Sequence, residues 1–359
     1  MKDRMLLRAL LTLTLVVSCA STTPESPPLP NGASRTYRMG FSPLPPRLTT
    51  LEVLRTIDSL TRHSDAALMT VDVPWVALLA DTSAAYLVRQ NQLPVAQLFQ
   101  QRAMPLVVTL DVTNGLNRSA ESDALVKLGR SITEPAVQRV YREYVAAFDS
   151  IVHPKWFALA METNLIRAQS APSVYNAIVT MTNAAAQQLR AAGSTSQLMV
   201  SVQVETAWGR LPANSFVGIQ RDRADFPFIQ ALGLSSYPYL GGFATPEDIP
   251  TDYYSRLVAD APLPMLVVEG GWSSGSVTGV TSSPELQARY IRRQMQIADA
   301  AKLVGVFQIT FTDIDLSSYQ VPPGSILPLF AQTGLVDINY RPKAALAVWD
   351  SVRTTPLAP

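Results

Sequence analysis

Two glutamates end apolar runs, at positions from which they could carry out acid–base or nucleophilic chemistry. Glu269 ends the run "MLVVE" (265–269), and Glu162 ends the run "WFALAME" (156–162). A carboxylate at the end of a buried strand must find a hydrogen-bonding partner or reach water. Where two such groups converge, one can hold a proton for donation while the other acts as an ionised nucleophile.

Other polar and aromatic residues also follow apolar runs. Binding pockets combine aromatic surfaces with a few polar groups that fix the orientation of a ligand. We therefore predict that a set of such residues binds substrate beside Glu162 and Glu269, comprising Asn164, Trp75, Asp111, Gln203, Glu205, Trp208 and Trp272.

Several other kinds of active site are disfavoured by composition. The chain has two histidines, His63 and His153, and both precede apolar runs instead of following them. A Ser-His-Asp site or a histidine-ligated metal is therefore not expected. An all-oxygen metal site from Asp111, Glu162 and Glu205 is the weaker alternative. No glycine-rich nucleotide motif is present, and we expect neither a metal nor another cofactor.

The elements that must position these residues alternate between short apolar runs and longer helical patterns. The predicted strands are 36–41, 66–71, 105–111, 156–162, 197–205, 228–237, 265–269 and 303–311. The clearest helical patterns are 50–62, 134–151, 172–193, 283–301 and 341–352. Eight such strand–helix units predict a single (β/α)8 barrel rather than a doubly wound sheet. Functional residues of that fold lie at the C-terminal ends of the strands.

The barrel gives the two glutamates a specific relationship. Strands 4 and 7 lie on opposite sides of an eight-stranded barrel, so Glu162 and Glu269 should face each other across its mouth. Catalysis by two carboxylates is typical of glycoside hydrolysis, and a retaining mechanism places them roughly 5–5.5 Å apart.

The first 34 residues carry signals for export. Lys2, Arg4 and Arg8 precede a short apolar stretch, which predicts a signal peptide over 1–18. The segment "VVSC" resembles a bacterial lipobox, which implies lipidation of Cys19. Residues 19–34 read as a Ser/Thr/Pro linker and 35–359 as the barrel. We expect a protein anchored by lipid in the bacterial cell envelope, facing the periplasm or the cell surface, with the outer membrane favoured.

Charge indicates the kind of partner. Charged residues make up 16% of the chain, and the net charge is +1 without a basic cluster. Nucleic acid is therefore not an expected partner, and membrane contact is expected through the lipid alone. We expect a monomer that takes a carbohydrate substrate.

Two segments resemble those of the retaining glycosidase clan with TIM barrels. "FIQALGLSSYPYL" (228–240) is similar to the strand-6 signature of its endo-β-1,4-galactanases, and "MLVVEGGWSSG" (265–275) to the nucleophile segment of those enzymes and of its β-1,3-glucanases. The resemblance implies that Glu162 is the general acid/base and Glu269 the nucleophile. It also implies that Tyr237 contacts the nucleophile.

One position departs from the clan's pattern. The clan places Asn directly before the acid/base glutamate, where it holds the sugar 2-hydroxyl, and this chain has Met161 there. Loss of that contact removes part of the expected transition-state stabilisation. Two functions remain open: a retaining β-glycoside hydrolase, and a catalytically inactive barrel that binds glycans at the cell surface. A solute-binding lipoprotein would need two lobes, for which no boundary is found.

Overall fold

Eight parallel strands form the wall of a nearly closed barrel in the part of the chain that the structure describes. The computed structural model describes residues 34–211 and 215–358. The predicted signal peptide (1–18), Cys19 and almost all of the predicted linker (19–34) lie outside the described residues. Among the described helices, none combines the length and apolar character needed to cross a membrane.

The strands follow the predicted order. They are β1 (Arg38–Phe41), β2 (Ala67–Asp72), β3 (Leu106–Asp111), β4 (Trp156–Ala158), β5 (Gln197–Gln203), β6 (Ala231–Ser236), β7 (Met265–Gly270) and β8 (Gly305–Gln308). The ladder runs β1-β8-β7-β6-β5-β4-β3-β2, and every pair in it is parallel. At the seam between β1 and β2, the Met39 carbonyl accepts a hydrogen bond of 2.7 Å from the Asp65 amide. The predicted (β/α)8 fold is confirmed.

Helices cover the outside of the barrel. They are α1 (Thr50–Thr61), α2 (Trp75–Leu79), α3 (Ala84–Leu87), α4 (Leu93–Gln100), α5 (Asp123–Lys127), α6 (Pro135–Val152), α7 (Thr163–Gln169), α8 (Pro172–Ala191), α9 (Val204–Ala207), α10 (Gln220–Asp225), α11 (Pro284–Ala300) and α12 (Ala344–Arg353). A π-helical turn (Val88–Gln92) joins α3 to α4. Between β6 and β7 the chain forms 3-10 turns at Pro246–Asp248 and Ser255–Val258.

Local signals explain where the long helices begin. Ser283 caps α11 by accepting a hydrogen bond from the Leu286 amide, and Pro284 follows at the first helical position. Helix α1 is capped by Thr49, whose hydroxyl accepts from the Glu52 amide. The apolar faces of these helices pack on the outside of the strands, as their helical periodicity predicts.

The barrel interior is filled by side chains from alternate strand positions. They form a separate buried cluster of Ala66, Leu68, Val107, Trp156, Ala158, Met199, Ala231, Leu266, Val268 and Phe307. Gly40 leaves room for Phe307, because a Cβ at Gly40 would lie 2.8 Å from the Phe307 ring. The barrel is thus a packed core, and a ligand can approach only at its ends.

Candidate active site

The C-terminal ends of four strands bring carboxylates to one mouth of the barrel. Asp72 ends β2 and pairs in register with Asp111, which ends β3. Glu162 lies four residues past β4, and Glu269 is the penultimate residue of β7. The parallel ladder places these ends together, as the sequence predicts for a barrel.

Glu162 adopts an unusual backbone conformation. Its φ and ψ of 47° and 45° lie in the left-handed region, directly before helix α7. Such a conformation costs an L-residue about 1–2 kcal/mol. The amide of Glu162 donates a hydrogen bond of 2.9 Å to the Ser201 hydroxyl of β5, which holds the residue in place. Strain of this kind concentrates at functional sites, where the surrounding structure maintains it.

A buried arginine contacts Glu162. The Arg118 Nε donates to Glu162 Oε2 at 2.7 Å, and Nη1 donates to both oxygens of Asp111 at 2.6 and 2.8 Å. Nη1 also lies 3.0 Å from the Thr113 hydroxyl. Arg118 is 4% exposed, so this ion-pair cluster is enclosed by protein. We did not predict Arg118 from the sequence; the available signal was one basic residue in the loop that follows β3.

The loop that carries Arg118 is held by short-range bonds. The amide of Asn114 donates to the Ala120 carbonyl, and the Asn114 side chain accepts from Leu116 and donates to Asp123. Thr113 and Glu121 form an isolated antiparallel bridge at its base. These contacts fix the direction in which the loop, residues 113–121, presents Arg118.

Glu269 is aimed by an irregularity in β7. Leu234 pairs with Val267, whereas the next residue, Ser235, pairs with Glu269, so β7 contains one extra residue here. A bulge changes the direction of the side chains beyond it. The Tyr237 hydroxyl donates to Glu269 Oε1 at 2.9 Å. The structure therefore places Tyr237 on Glu269, while the roles assigned to both residues stay predictions.

The two glutamates influence each other electrostatically. Burial raises the pKa of Glu269 to about 8, and the negative charge of Glu162 is the next contribution. The Arg118 charge and the Tyr237 hydrogen bond act in the opposite direction. Burial lowers the pKa of Arg118, but the charges of Asp111, Glu162 and Glu269 outweigh it and raise that pKa overall. The charges of Glu162, Arg118 and Glu269 thus act on one another at the mouth.

Four predicted substrate-binding residues are occupied by the protein itself. Asp111 holds Arg118. The Asn164 side chain bonds the backbone of Gln203 in both directions, at 2.8 Å each. Gln203 in turn donates to Glu205, which is 0% exposed. These side chains reach the same end of the barrel, but they are used to join β3, β4 and β5.

The predicted tryptophans occupy different environments. Trp75 and Trp272 are 1% and 0% exposed, and the Trp272 indole nitrogen donates to Ser282. Neither ring has a face free for a sugar, because both pack within the hydrophobic core. Trp208 is partly exposed, although Tyr253 stacks on one face and its nitrogen donates to the Tyr253 carbonyl. Of the three, only Trp208 offers surface to a ligand.

The arrangement suits proton transfer and nucleophilic attack by carboxylates. Glu269 is partly exposed and has a neutral hydrogen-bond donor, while Glu162 is paired with a cation. Within residues 34–211 and 215–358, no three His, Cys, Asp or Glu side chains are grouped in a way that could hold a metal ion.

Comparisons with known proteins identify solved structures that share this fold. Neither a protein-family model nor a curated protein sequence matches this chain. Among solved structures, an exo-β-1,4-mannosidase from Opitutaceae bacterium strain TAV5 superposes with a TM-score of 0.67 at 15% identity, over 90% of this chain and 60% of that one. The GH53 catalytic domain of Ignisphaera aggregans gives a TM-score of 0.59 at 16% identity, over 91% and 98%. Xylanase 10B of Thermotoga maritima gives 0.59 at 14% identity, over 88% and 94%.

The similarity concerns the barrel. The chain spans only 60% of the mannosidase and about half of two β-glucuronidases, one from an uncultured Clostridium and one from Ruminococcus gnavus. It spans nearly the whole of the GH53 domain and the xylanase. At these identities the comparison establishes the fold, and the chain is therefore a (β/α)8 barrel of the kind that glycoside hydrolases use.

Proposed function

We propose that this protein is a retaining β-glycoside hydrolase acting on a poly- or oligosaccharide. Glu162 is the general acid/base, Glu269 the nucleophile, and Tyr237 orients Glu269. The observation that carries the proposal is that Glu162 follows β4 and Glu269 ends β7, both at the C-terminal ends of the strands. The charge of Glu162 also contributes to the raised pKa of Glu269. The 2.9 Å bond from Tyr237 to Glu269 supports the assignment of the nucleophile.

The chemistry follows from the two carboxyl groups. In the first step, the Glu269 oxygen attacks the anomeric carbon while Glu162 gives a proton to the leaving oxygen. In the second step, Glu162 takes a proton from water, which displaces Glu269 from the sugar. Glu269 must therefore be ionised and Glu162 protonated when the first step begins.

A panel of aryl β-glycosides and β-glycans tests this function. We expect release of aglycone or reducing sugar, and we expect the first product to keep the β configuration when followed by proton NMR. A 2-deoxy-2-fluoro-β-glycosyl fluoride should add one sugar mass to the peptide that contains Glu269. An α-configured first product would contradict the retaining mechanism.

A glycan-binding barrel without hydrolysis is the second candidate. Two observations favour it: Met161 replaces the expected Asn, and Arg118 occupies one oxygen of Glu162. Glycan binding without hydrolysis of any substrate on the panel, and without labelling of Glu269, would support this second function.

We also propose that the protein is a bacterial lipoprotein anchored through Cys19, with the barrel joined by the linker 19–34. The sequence "VVSC" after an apolar leader supports this proposal. Replacing Cys19 by Ser should move the protein from the membrane fraction to the soluble fraction. Membrane association that is unchanged in this variant would contradict the anchor.

A further inference from the structure

The two glutamates at the mouth have opposite kinds of partner. Glu162 accepts a hydrogen bond from a guanidinium group at 2.7 Å, and Glu269 accepts one from a phenol at 2.9 Å. A hydrogen bond from a cation stabilises the charged form of a carboxylate more than a hydrogen bond from a neutral hydroxyl does. The protein therefore treats the two carboxyls differently, although a retaining mechanism requires the proton to be on Glu162 at the start.

Arg118 is fixed at this position from behind. Both oxygens of Asp111 and the hydroxyl of Thr113 hold its Nη1, which leaves Nε directed at Glu162. The guanidinium is 4% exposed and the Glu162 side chain 9%, so water screens their interaction poorly. Removing one partner of such an enclosed pair leaves an uncompensated charge.

We propose that Arg118 is a positioning residue that keeps the proton of the glutamate pair on Glu269 and away from Glu162. In this resting arrangement Glu269, the nucleophile, carries the proton and Glu162, the acid, is ionised. The first step of the reaction requires the reverse. Turnover then requires Arg118 to separate from Glu162, after which one proton passes from the Glu269 carboxyl to Glu162. No other atom changes partner in that step.

The remaining groups at the mouth agree with this assignment. Asp111 at the end of β3 bonds Arg118, and burial raises the pKa of Asp72 at the end of β2 while the Arg118 charge acts in the opposite direction. Tyr237, directly after β6, bonds Glu269. Burial and the charge of Glu162 raise the pKa of Glu269, and each of them contributes more than the opposing Arg118 charge. If Glu162 becomes neutral, the largest charge that holds the proton on Glu269 is removed. Loss of Arg118 removes the cation that keeps Glu162 charged, so a proton should then bind Glu162 as well as Glu269.

Infrared difference spectroscopy of the carboxyl band locates the proton without requiring catalysis. Spectra across a pH titration are compared for the wild type, Glu269→Gln and Glu162→Gln. At neutral pH we expect the protonated-carboxyl band that belongs to the pair to be lost in Glu269→Gln. In Glu162→Gln burial alone should keep this band, with a midpoint at lower pH than in the wild type because the Glu162 charge is gone. Burial raises the pKa values of Glu205 and Asp313 to about 7 and 6, so these groups titrate in the same pH range. All the variants contain both groups, and difference spectra therefore remove their contribution.

The Arg118→Met substitution should change this pattern. In that background the band should be kept with Glu269→Gln, because Glu162 no longer contacts a cation, and also with Glu162→Gln, because burial still raises the pKa of Glu269. Because Asp111 would be left unpaired, Asp111→Asn combined with Arg118→Met provides a second background with the same expectation. Arg35→Met is the matched control: Arg35 is also 4% exposed and pairs with Asp65 at 2.6 Å, away from the mouth, so its loss should not move the band.

Hydrolysis separates this proposal from the proposed function. If the wild type hydrolyses an aryl β-glycoside, the acidic limb of its kcat/KM profile should move to higher pH by about one pH unit or more in Arg118→Met, because loss of the cation raises the pKa of Glu269. A protonated Glu162 that appears only without Arg118, in a protein without hydrolysis, would support the positioning role while the hydrolase function fails. A band assigned to Glu162 in the wild type, or unchanged by both Arg118 backgrounds, would overturn the proposal.

Discussion

Two carboxyls of this barrel, Glu269 and Glu205, show what separates a candidate catalytic group from a structural one. Burial raises the pKa of Glu269 to about 8 and that of Glu205 to about 7. Both accept hydrogen bonds from tyrosine hydroxyls at 2.9 Å, from Tyr237 and Tyr253 respectively. The raised pKa values and the tyrosine hydrogen bonds therefore do not distinguish the two carboxyls.

Access and neighbours distinguish them. Glu205 is 0% exposed and is surrounded by neutral donors, Gln203, Ser236 and Tyr253. Glu269 is partly exposed and faces a second carboxyl, Glu162, together with Arg118. A raised pKa therefore identifies a buried acid, and only an accessible surface with a second ionisable group makes such an acid a candidate for catalysis.

Replacing the Glu269 nucleophile should have the largest effect on hydrolysis. In Glu269→Gln no glycosyl-enzyme can form, so we expect kcat to fall on the order of 10⁴-fold or more, whatever the leaving group. Glu205→Gln is the matched control, since it removes another carboxyl whose pKa is raised by burial. Equal losses of kcat in the two variants would contradict the assignment of Glu269 as catalytic and Glu205 as structural.

Replacing Glu162 should have a smaller effect that depends on the leaving group. Glu162→Gln removes proton transfer, which contributes about 10²–10⁴-fold. Substrates with good leaving groups should still glycosylate Glu269, and added azide should restore turnover as the β-glycosyl azide. Failure of azide to rescue any substrate would argue against Glu162 as the acid/base.

The hydrogen bond to Glu269 should contribute about tenfold. Tyr237→Phe removes a donor that lowers the pKa of Glu269, so the acidic limb of kcat/KM should move to higher pH. At pH values on the acidic limb we expect kcat/KM to fall by about 5–10-fold, which corresponds to the loss of one hydrogen bond. Tyr239→Phe is the control, because the Tyr239 hydroxyl donates to the Leu329 carbonyl instead.

Glu205→Gln should affect stability far more than activity. The folded protein binds more protons than the unfolded chain between pH 4.5 and about 7, so the Glu205 contribution to the free energy of unfolding falls as pH rises through that window. The full change corresponds to about 3 kcal/mol at about 1.4 kcal/mol per pKa unit. Denaturant unfolding should show this slope weakened in Glu205→Gln.

The same titration distinguishes the two carboxyls once more. The pH dependence of the free energy of unfolding that is lost in Glu269→Gln should extend from pH 4.5 to about 8. This window is wider than that of Glu205 because the pKa of Glu269 is raised further than the pKa of Glu205. Identical windows in the two variants would show that the groups are not separately titrating sites.

Much of the fold could be predicted from residue patterns. Apolar runs bounded by helical periodicity located all eight strands, and the Ser283-Pro284 signal located the start of α11. The order of these elements implied a barrel, and the barrel rule then placed Glu162 and Glu269 at one mouth. Strand β4 is shorter than its apolar run, since it ends at Ala158 and the chain turns before Glu162.

The site depended on contacts between distant parts of the chain. No local pattern indicates that Arg118 reaches Glu162, which is 44 residues away, or that a bulge opposite Ser235 redirects Glu269. The burial of Trp75, Trp272 and Glu205 was equally hidden, because the same residue types at strand ends can point into the mouth or into the wall. Sequence periodicity determined which elements form and in what order. The direction of each side chain, and with it the charge that each carboxyl faces, was decided by packing in the folded barrel.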